Sequence, residues 1–258
     1  MMVLTRWLRC SASLVILCWA HLAVAYRPFD GTDADVAEVG ELELEVGPAG
    51  YRREGSSQFL IAPALVANYG FASGFEAVLE GRQEIPLRAA RPGSQVQDLA
   101  ASVKSLLRRG SLQGDAGLSV ALESGVLLPG PETGWGTHVG SIFSYQWPAL
   151  TMHLNLNNDL WYSAQYEAGA SLILEGPKDW RLRPIAEILA ERAFGQARFY
   201  RGLAESVLLG GILRHSDALS LDVAGRLASA EGQREVEVRA GFTWAFELGA
   251  WHPARGAP

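Results

Sequence analysis

His153 is the residue whose type and position most directly suggest chemistry. It lies with Asn155 and Asn157 on the polar side of a segment in which polar and apolar residues alternate. A histidine can act as the general base of a serine hydrolase, but only when a serine lies within hydrogen-bonding distance of it. The sequence places no such nucleophile beside the imidazole. We therefore predict that His153 is a polar wall residue.

The sequence carries no other signature of an active site. His138, His153, His215 and His252 are far apart and lack the spacing of metal ligands. There is no phosphate-binding loop, zinc helix motif, dinucleotide fingerprint or Gly-x-Ser-x-Gly motif. We predict no catalytic residue, no metal, no cofactor and no enzymatic activity, and keep lipid hydrolysis at His153 as an alternative.

Charged and amide side chains recur on the polar side of many segments and could line a lumen. The candidates are Lys104, Glu123, His153, Asn155, Asn157, Glu167, Arg181, Arg183, Glu187, Glu191, Asp222 and Arg239. In one interpretation they form ion pairs that fill the lumen, because buried charges require partners. In the other they act as a filter that is acidic on balance and favours cations.

The composition excludes several classes of protein. The 258 residues are 48% hydrophobic and 19% charged, which is ordinary for a folded chain and argues against disorder. The formal net charge of -6 and the scattered basic residues argue against a nucleic-acid partner. Beyond the N-terminus, no unbroken apolar stretch has the length and composition of a membrane-spanning helix.

The first 25 residues have the features of a secretory signal peptide. Arg6 and Arg9 precede an uncharged run from Cys10 to Ala25, which ends in the small-x-small sequence Ala23-Val24-Ala25. We predict cleavage after Ala25, with a retained N-terminal anchor as the alternative. Both cysteines of the chain lie in this segment, so the mature protein would contain neither thiols nor disulfides.

The rest of the chain has a period of two. Residues 236, 238, 240, 242, 244 and 246 are all apolar and alternate with more polar neighbours, which is typical of a strand with one apolar face. Turn residues, including Gly47-Pro48 and Ala72-Ser73-Gly74, separate about twelve such segments. The segments lie near 39–50, 57–70, 74–85, 98–109, 116–128, 137–147, 149–158, 164–175, 179–191, 202–214, 218–228 and 234–246.

Two segments also fit a helix. Asp98 to Arg109 and Pro184 to Phe194 carry apolar residues at helical spacing, and Asp98 could cap the first of them. We assign both to strands because strands surround them.

The alternation predicts a transmembrane antiparallel up-and-down β-barrel of about 12 strands over residues 26–246, followed by a tail at 247–258. Charges in mid-strand on the polar side favour a lumen over the core of a soluble sandwich. Aromatic residues near strand ends fit the two membrane interfaces. They are Trp135, Trp147, Trp161, Tyr162, Trp180, Tyr200, Trp244 and Phe246.

Several stretches resemble the outer-membrane transporter family labelled "MetA-pathway of phenol degradation". The start of the mature chain at Arg27-Pro28-Phe29 is similar, as are Asn68-Tyr69-Gly70, Lys104 through Arg108, Ala121 through Pro129 and Leu208 through Asp217. The resemblance implies an outer-membrane barrel that passes small molecules, aromatic or apolar ones among them. It supplies no catalytic residues. One departure is that the chain continues for 12 residues beyond Phe246, where such barrels usually end.

We therefore expect a channel in the bacterial outer membrane. Its partners would be outer-membrane lipid, a small-molecule solute and the barrel-assembly machinery, with no nucleic acid. Besides the lipid hydrolase, the alternatives are a structural barrel that transports nothing and a soluble periplasmic β-sandwich that binds a ligand.

Overall fold

The computed structural model describes residues 27–88, 93–130, 134–162, 165–195, 203–230 and 232–248. The predicted signal peptide, Tyr200 and most of the predicted tail lie outside these residues. Within the described residues, no helix is long and apolar enough to cross a membrane.

Twelve strands alternate with short connections along the described chain. They are β1 (Glu41–Glu54), β2 (Ser57–Ala72), β3 (Phe75–Arg88), β4 (Gln95–Arg108), β5 (Ser119–Leu127), β6 (Gly136–Gln146), β7 (Thr151–Trp161), β8 (Gln165–Glu175), β9 (Leu182–Gly195), β10 (Leu203–Arg214), β11 (Leu219–Ala230) and β12 (Gln233–Glu247). A 3-10 turn at Ser111–Gln113 lies between β4 and β5. The predicted strand number is confirmed, and both ambiguous segments are strands, β4 and β9.

Every strand pairs antiparallel with its sequence neighbours, and β12 pairs with β1 to close the barrel. Closure leaves no free strand edge, which is the condition for a sheet to span a bilayer. Glu41 pairs with Glu247, so β1 begins and β12 ends at the same end of the barrel. We call this the terminal end and the other the far end.

The predicted turn at Gly47-Pro48 is wrong. The register between β1 and β12 shifts between Val46 and Ala49, and β1 continues through this irregularity to Glu54. A bulge tolerates proline because the residue is released from the hydrogen-bond ladder. The chain reverses instead at Gly55 and Ser56, where Gly55 has a φ of 55° that favours glycine.

The two faces of the strands differ as the alternation predicts. Leu221, Val223 and Leu227 of β11 face outward and are exposed, whereas Ser220 and Asp222 face the lumen and are buried. Aromatic side chains gather toward both ends of the barrel. Those near the terminal end are Phe71, Phe75, Tyr145, Trp147, Trp180, Trp244 and Phe246, and those near the far end are Tyr51, Trp135, Trp161, Tyr162, Tyr166 and Phe194.

Candidate functional site

The lumen contains a piece of the chain itself. Residues 27–40, which we call the N-terminal segment, precede β1 and contact strands on opposite sides of the barrel. At one end of the segment, Arg27 approaches Asp222 of β11. At the other end, the backbone N–H of Ala37 donates to Glu76 of β3. Between these ends, Pro28 accepts a hydrogen bond from Arg239 of β12, and Ala34 donates one to Ser144 of β6, which lies opposite β12 in the ring of strands. The segment therefore lies across the lumen and constricts it.

Glycines allow this close packing. A Cβ atom on Gly31 would overlap the hydroxyl of Ser171 on β8. One on Gly70 of β2 would overlap the carbonyl oxygen of Glu38. The backbone of the segment and the wall of the barrel thus approach to a distance that leaves no room for side chains at these positions.

Side chains of the lumen form hydrogen bonds with several backbone N–H and C=O groups of the segment. The N–H groups of Asp30 and Gly31 each donate to Glu187 at 2.8 Å. Asn155 accepts from the N–H of Thr32 at 3.0 Å and donates to the carbonyl of Thr32 at 2.9 Å. Such side-chain bonds replace the ladder that an irregular backbone lacks. They also give the segment one defined position.

Ion pairs hold the part of the segment that precedes Gly31. The carboxylate of Asp30 lies 2.9 Å from Arg226 and 2.8 Å from Arg239. Arg239 also donates to the carbonyl of Pro28 at 2.8 Å. Two arginines on neighbouring strands β11 and β12 therefore bind a single acidic residue of the segment.

Lys104 of β4 provides a positive charge near the other half of the segment. Its ammonium nitrogen lies 3.0 Å from Glu76 and 4.0 Å from Asp33, and all three side chains are almost fully buried. Asp33 belongs to the segment and not to a membrane-spanning strand. Burial raises the pKa of Asp33 to about 7, and Lys104 partly offsets this rise.

His153 lies in a chain of polar side chains on three adjacent strands. Its Nδ1 atom is 2.8 Å from the hydroxyl of Ser144 on β6, and its Nε2 atom is 3.1 Å from Glu175 on β8. Arg183 of β9 lies 2.9 Å from the other oxygen of Glu175. The sequence did not identify Ser144 as the neighbour of His153, because that contact depends on the register between β6 and β7.

Acidic residues line another part of the lumen wall. Glu123 of β5 accepts a hydrogen bond from Ser102. Among the described residues, neither Glu167 of β8 nor Glu191 of β9 has an ion-pair partner. Asn157 of β7 is on the lumen side of its strand, where it lies near Gly140. This wall is therefore negative, whereas the arginines on β11 and β12 are paired.

The predicted candidates are thus distributed over four places, one of which is the acidic wall with Glu123, Asn157, Glu167 and Glu191. Asn155, Glu187, Asp222, Lys104 and Arg239 contact the N-terminal segment or pair with its residues. His153 and Arg183 belong to the polar chain around Ser144. Arg181 lies apart from the others, because it precedes β9 and is exposed.

The sequence analysis missed the role of residues 27–40. It counted them with the barrel, although they lack the alternation of the strands. The signal that could have identified them is a run with Pro28, Gly31 and three aspartates ahead of the first alternating segment.

Two cavities lie near the segment. A cavity of about 670 Å³ is bordered by Val36, Glu43, Glu76, Lys104 and Gln113. A smaller one of about 70 Å³ is bordered by Arg27, Arg82 and Arg239. Within the described ranges, no group of three or more His, Cys, Asp or Glu side chains is arranged to hold a metal ion.

A closed, antiparallel, 12-stranded barrel with an apolar outer face and a charged lumen defines the class as an outer-membrane β-barrel. No family model matches the chain, and no curated protein matches it.

Solved structures share the fold. The COG4313 outer membrane channel from Pseudomonas putida F1 superposes with a TM-score of 0.65 at 12% identity, covering 84% of this chain and 100% of that one. The NanC porin superposes with a TM-score of 0.58 at 11% identity, covering 79% of this chain and 98% of that one. At these identities the likeness concerns the fold.

Proposed function

We propose that this protein is a channel of the bacterial outer membrane that passes small molecules through its lumen, and that the N-terminal segment is its gate. The observation that carries the proposal is the segment itself, which is held in the lumen by hydrogen bonds and ion pairs. Contacts of this kind break and re-form without unfolding the barrel, because the strand ladder does not depend on them.

The positions of the two cavities support the proposal that the segment is a gate. The larger one is bordered by residues 35–39 of the segment, and the smaller one by Arg27 at its other end. A solute that crosses the lumen must therefore displace or pass the segment. A fixed pore would need no such element, so we infer that conduction is coupled to motion of residues 27–40.

The charge of the lumen favours cationic over anionic solutes. Arg226 and Arg239 are neutralised by Asp30 and by neighbouring glutamates. The acidic side chains on β5, β8 and β9 add negative charge to other parts of the lumen wall. We propose that the two interpretations of the lumen charges apply to different parts of the wall: ion pairs around β11 and β12, and a cation-favouring surface around the acids of β5, β8 and β9. The resemblance seen in the sequence adds aromatic and apolar molecules as candidate solutes.

Solute uptake into liposomes tests this proposal. The variant Gly70→Ala adds one methyl group where the carbonyl of Glu38 lies, so it should push the segment away from β2 and increase liposome swelling. Gly225→Ala is the matched control, because a Cβ atom there meets no other atom within 4 Å. Swelling that is equal in both variants and in liposomes without protein would contradict the channel.

A further inference from the structure

Ser144, His153 and Glu175 form a continuous hydrogen-bonded chain that the transport proposal does not use. The three residues lie on the adjacent strands β6, β7 and β8, at distances of 2.8 Å and 3.1 Å. Ser144 and His153 are 0% and 1% exposed, and Glu175 is 3% exposed. A nucleophile, a base and an acid that orients the base are thus present in the required order.

The hydrogen bonds fix the direction of the chain. The backbone N–H of Ala34 donates to the Ser144 oxygen at 2.9 Å, which leaves the serine hydrogen free to be donated to Nδ1 of His153. When the imidazole is neutral and donates from Nε2 to the carboxylate of Glu175, Nδ1 carries no proton and can accept the serine hydrogen. This is the tautomer in which His153 can remove the proton of Ser144.

The N-terminal segment covers this chain. Ala34 packs with the apolar side chains of Ala121, Ile142 and Leu112, next to Ser144. When the segment leaves, it uncovers a small apolar pocket beside the serine oxygen. It also frees the amide of Asn155, which now donates to the carbonyl of Thr32 as it could donate to the oxyanion of a substrate.

We propose that Ser144, His153 and Glu175 form a serine hydrolase site for small esters with short acyl groups, and that Thr32 to Ala34 mask it. The proposal goes beyond transport and shares with it only the mobility of the N-terminal segment. The contacts that Ala34 makes with Ala121, Ile142 and Leu112 would be replaced by contacts with a short acyl group.

The reaction requires only the ester and water. Ser144 Oγ attacks the carbonyl carbon while its proton moves to Nδ1 of His153, and the Nε2–H bond to Glu175 stabilises the imidazolium. The tetrahedral intermediate collapses, the carbon–oxygen bond of the ester breaks, and His153 protonates the leaving alcohol. Water then attacks the acyl-serine, gives its proton to His153, and releases the carboxylic acid as Ser144 recovers its proton.

Labelling with a small alkyl fluorophosphonate tests the site in the folded barrel. Ala34→Gln places a larger polar group in the apolar pocket and should displace Thr32 to Ala34. Val39→Gln is the matched control, because Val39 lies on the same segment and is 49% exposed. We expect at least about tenfold faster labelling of Ala34→Gln than of Val39→Gln, located at Ser144 by peptide mass spectrometry.

Further variants identify the groups involved. In the Ala34→Gln background, Ser144→Ala and His153→Ala should abolish labelling, whereas Ser119→Ala should not, because Ser119 bonds to Gln113 and not to a histidine. Absence of labelling at Ser144 both in Ala34→Gln and in a variant lacking residues 27–38 would overturn the proposal. Liposome swelling with the same samples reports transport independently, so either function can fail alone.

Discussion

At the scale of single residues, a few basic side chains of the lumen lie among many acidic side chains and form ion pairs with them. Lys104 is 3% exposed and lies beside Glu76 and Asp33, with the buried Glu41, Glu43 and Glu45 on β1. A buried charge is tolerated only where an opposite charge or hydrogen bonds compensate for lost water. We therefore expect Lys104 to contribute both to the stability of the barrel and to the position of the segment.

Removal of this cation should destabilise the barrel. We expect Lys104→Met to lower the free energy of unfolding by about 3–5 kcal/mol, because it leaves Glu76 without its buried partner. Urea titration of the protein in lipid vesicles measures the change. The double variant Lys104→Met/Glu76→Gln should recover part of the loss, and a single variant as stable as the wild type would refute the role of the pair.

The proposed gate should respond to pH through Asp33. Its pKa is about 7 when the segment is docked, against the ordinary value of 3.8 when the carboxyl is in water. Docking therefore takes up a proton between these values, so the segment is held more tightly as the pH falls from 7 toward 4. The charged groups around Asp33 are Lys104, Asp35, His153, Glu43 and Glu76.

Conductance as a function of pH tests this. We expect the open fraction to rise at least about tenfold from pH 5 to pH 8, since each unit of pKa difference corresponds to a factor of ten. Asp33→Asn keeps the shape of the side chain without titrating, so its conductance should depend less on pH. An equal pH dependence in both proteins would exclude Asp33 as the sensor.

Residue types and alternation were enough to nominate most of the residues on the lumen side, but not their partners. His153 and Asn155 could be assigned to the polar face from the period of two. Ser144 could not be paired with His153, because a shift of one residue in strand register would turn it outward. Arg181 fits the alternation yet precedes β9, since element boundaries depend on turns more than on periodicity.

At the scale of elements, pairing between strands determines the structure of segments whose local sequence pattern fits either a helix or a strand. The segments at Asp98–Arg109 and Pro184–Phe194 fit a helix on their own, yet both are strands. In a closed barrel each strand supplies the hydrogen-bonding partner of two others, so one missing strand would leave two unpaired edges. Pro184 is the third residue of β9, close to the start of the strand, where the loss of one backbone donor is tolerated.

Because the outward face is apolar, the cost of placing a charged residue on it should depend on the depth of that position in the bilayer. Val223 of β11 is 56% exposed in mid-strand, and Ser229 faces the same way near the far end. We expect Val223→Arg to lower the free energy of unfolding by about 2–4 kcal/mol and Ser229→Arg by about 0–1 kcal/mol. Urea titration in vesicles compares them, and equal costs would mean that this face does not contact lipid.

At the scale of the whole molecule, a barrel and an irregular segment combine into what we propose is a gated channel. The barrel follows from the sequence because alternation, turns and aromatic ends all indicate it. The segment's position does not, since residues 27–40 lack a repeating pattern and their bonds to Glu187, Asn155 and Ser144 are distant in sequence. Only the closed barrel brings those partners together around them.

Single-channel recording of a reversibly locked gate tests the central claim most directly. Ala34→Cys with Ser144→Cys introduces the only two cysteines expected in the mature chain, at positions where the Ala34 nitrogen now lies 2.9 Å from the Ser144 oxygen. We predict that the disulfide abolishes openings and that reduction restores them, while Ala34→Cys alone is insensitive to redox state. Openings that persist with the disulfide intact, or a protein that is silent in both states, would contradict a channel gated by its N-terminal segment.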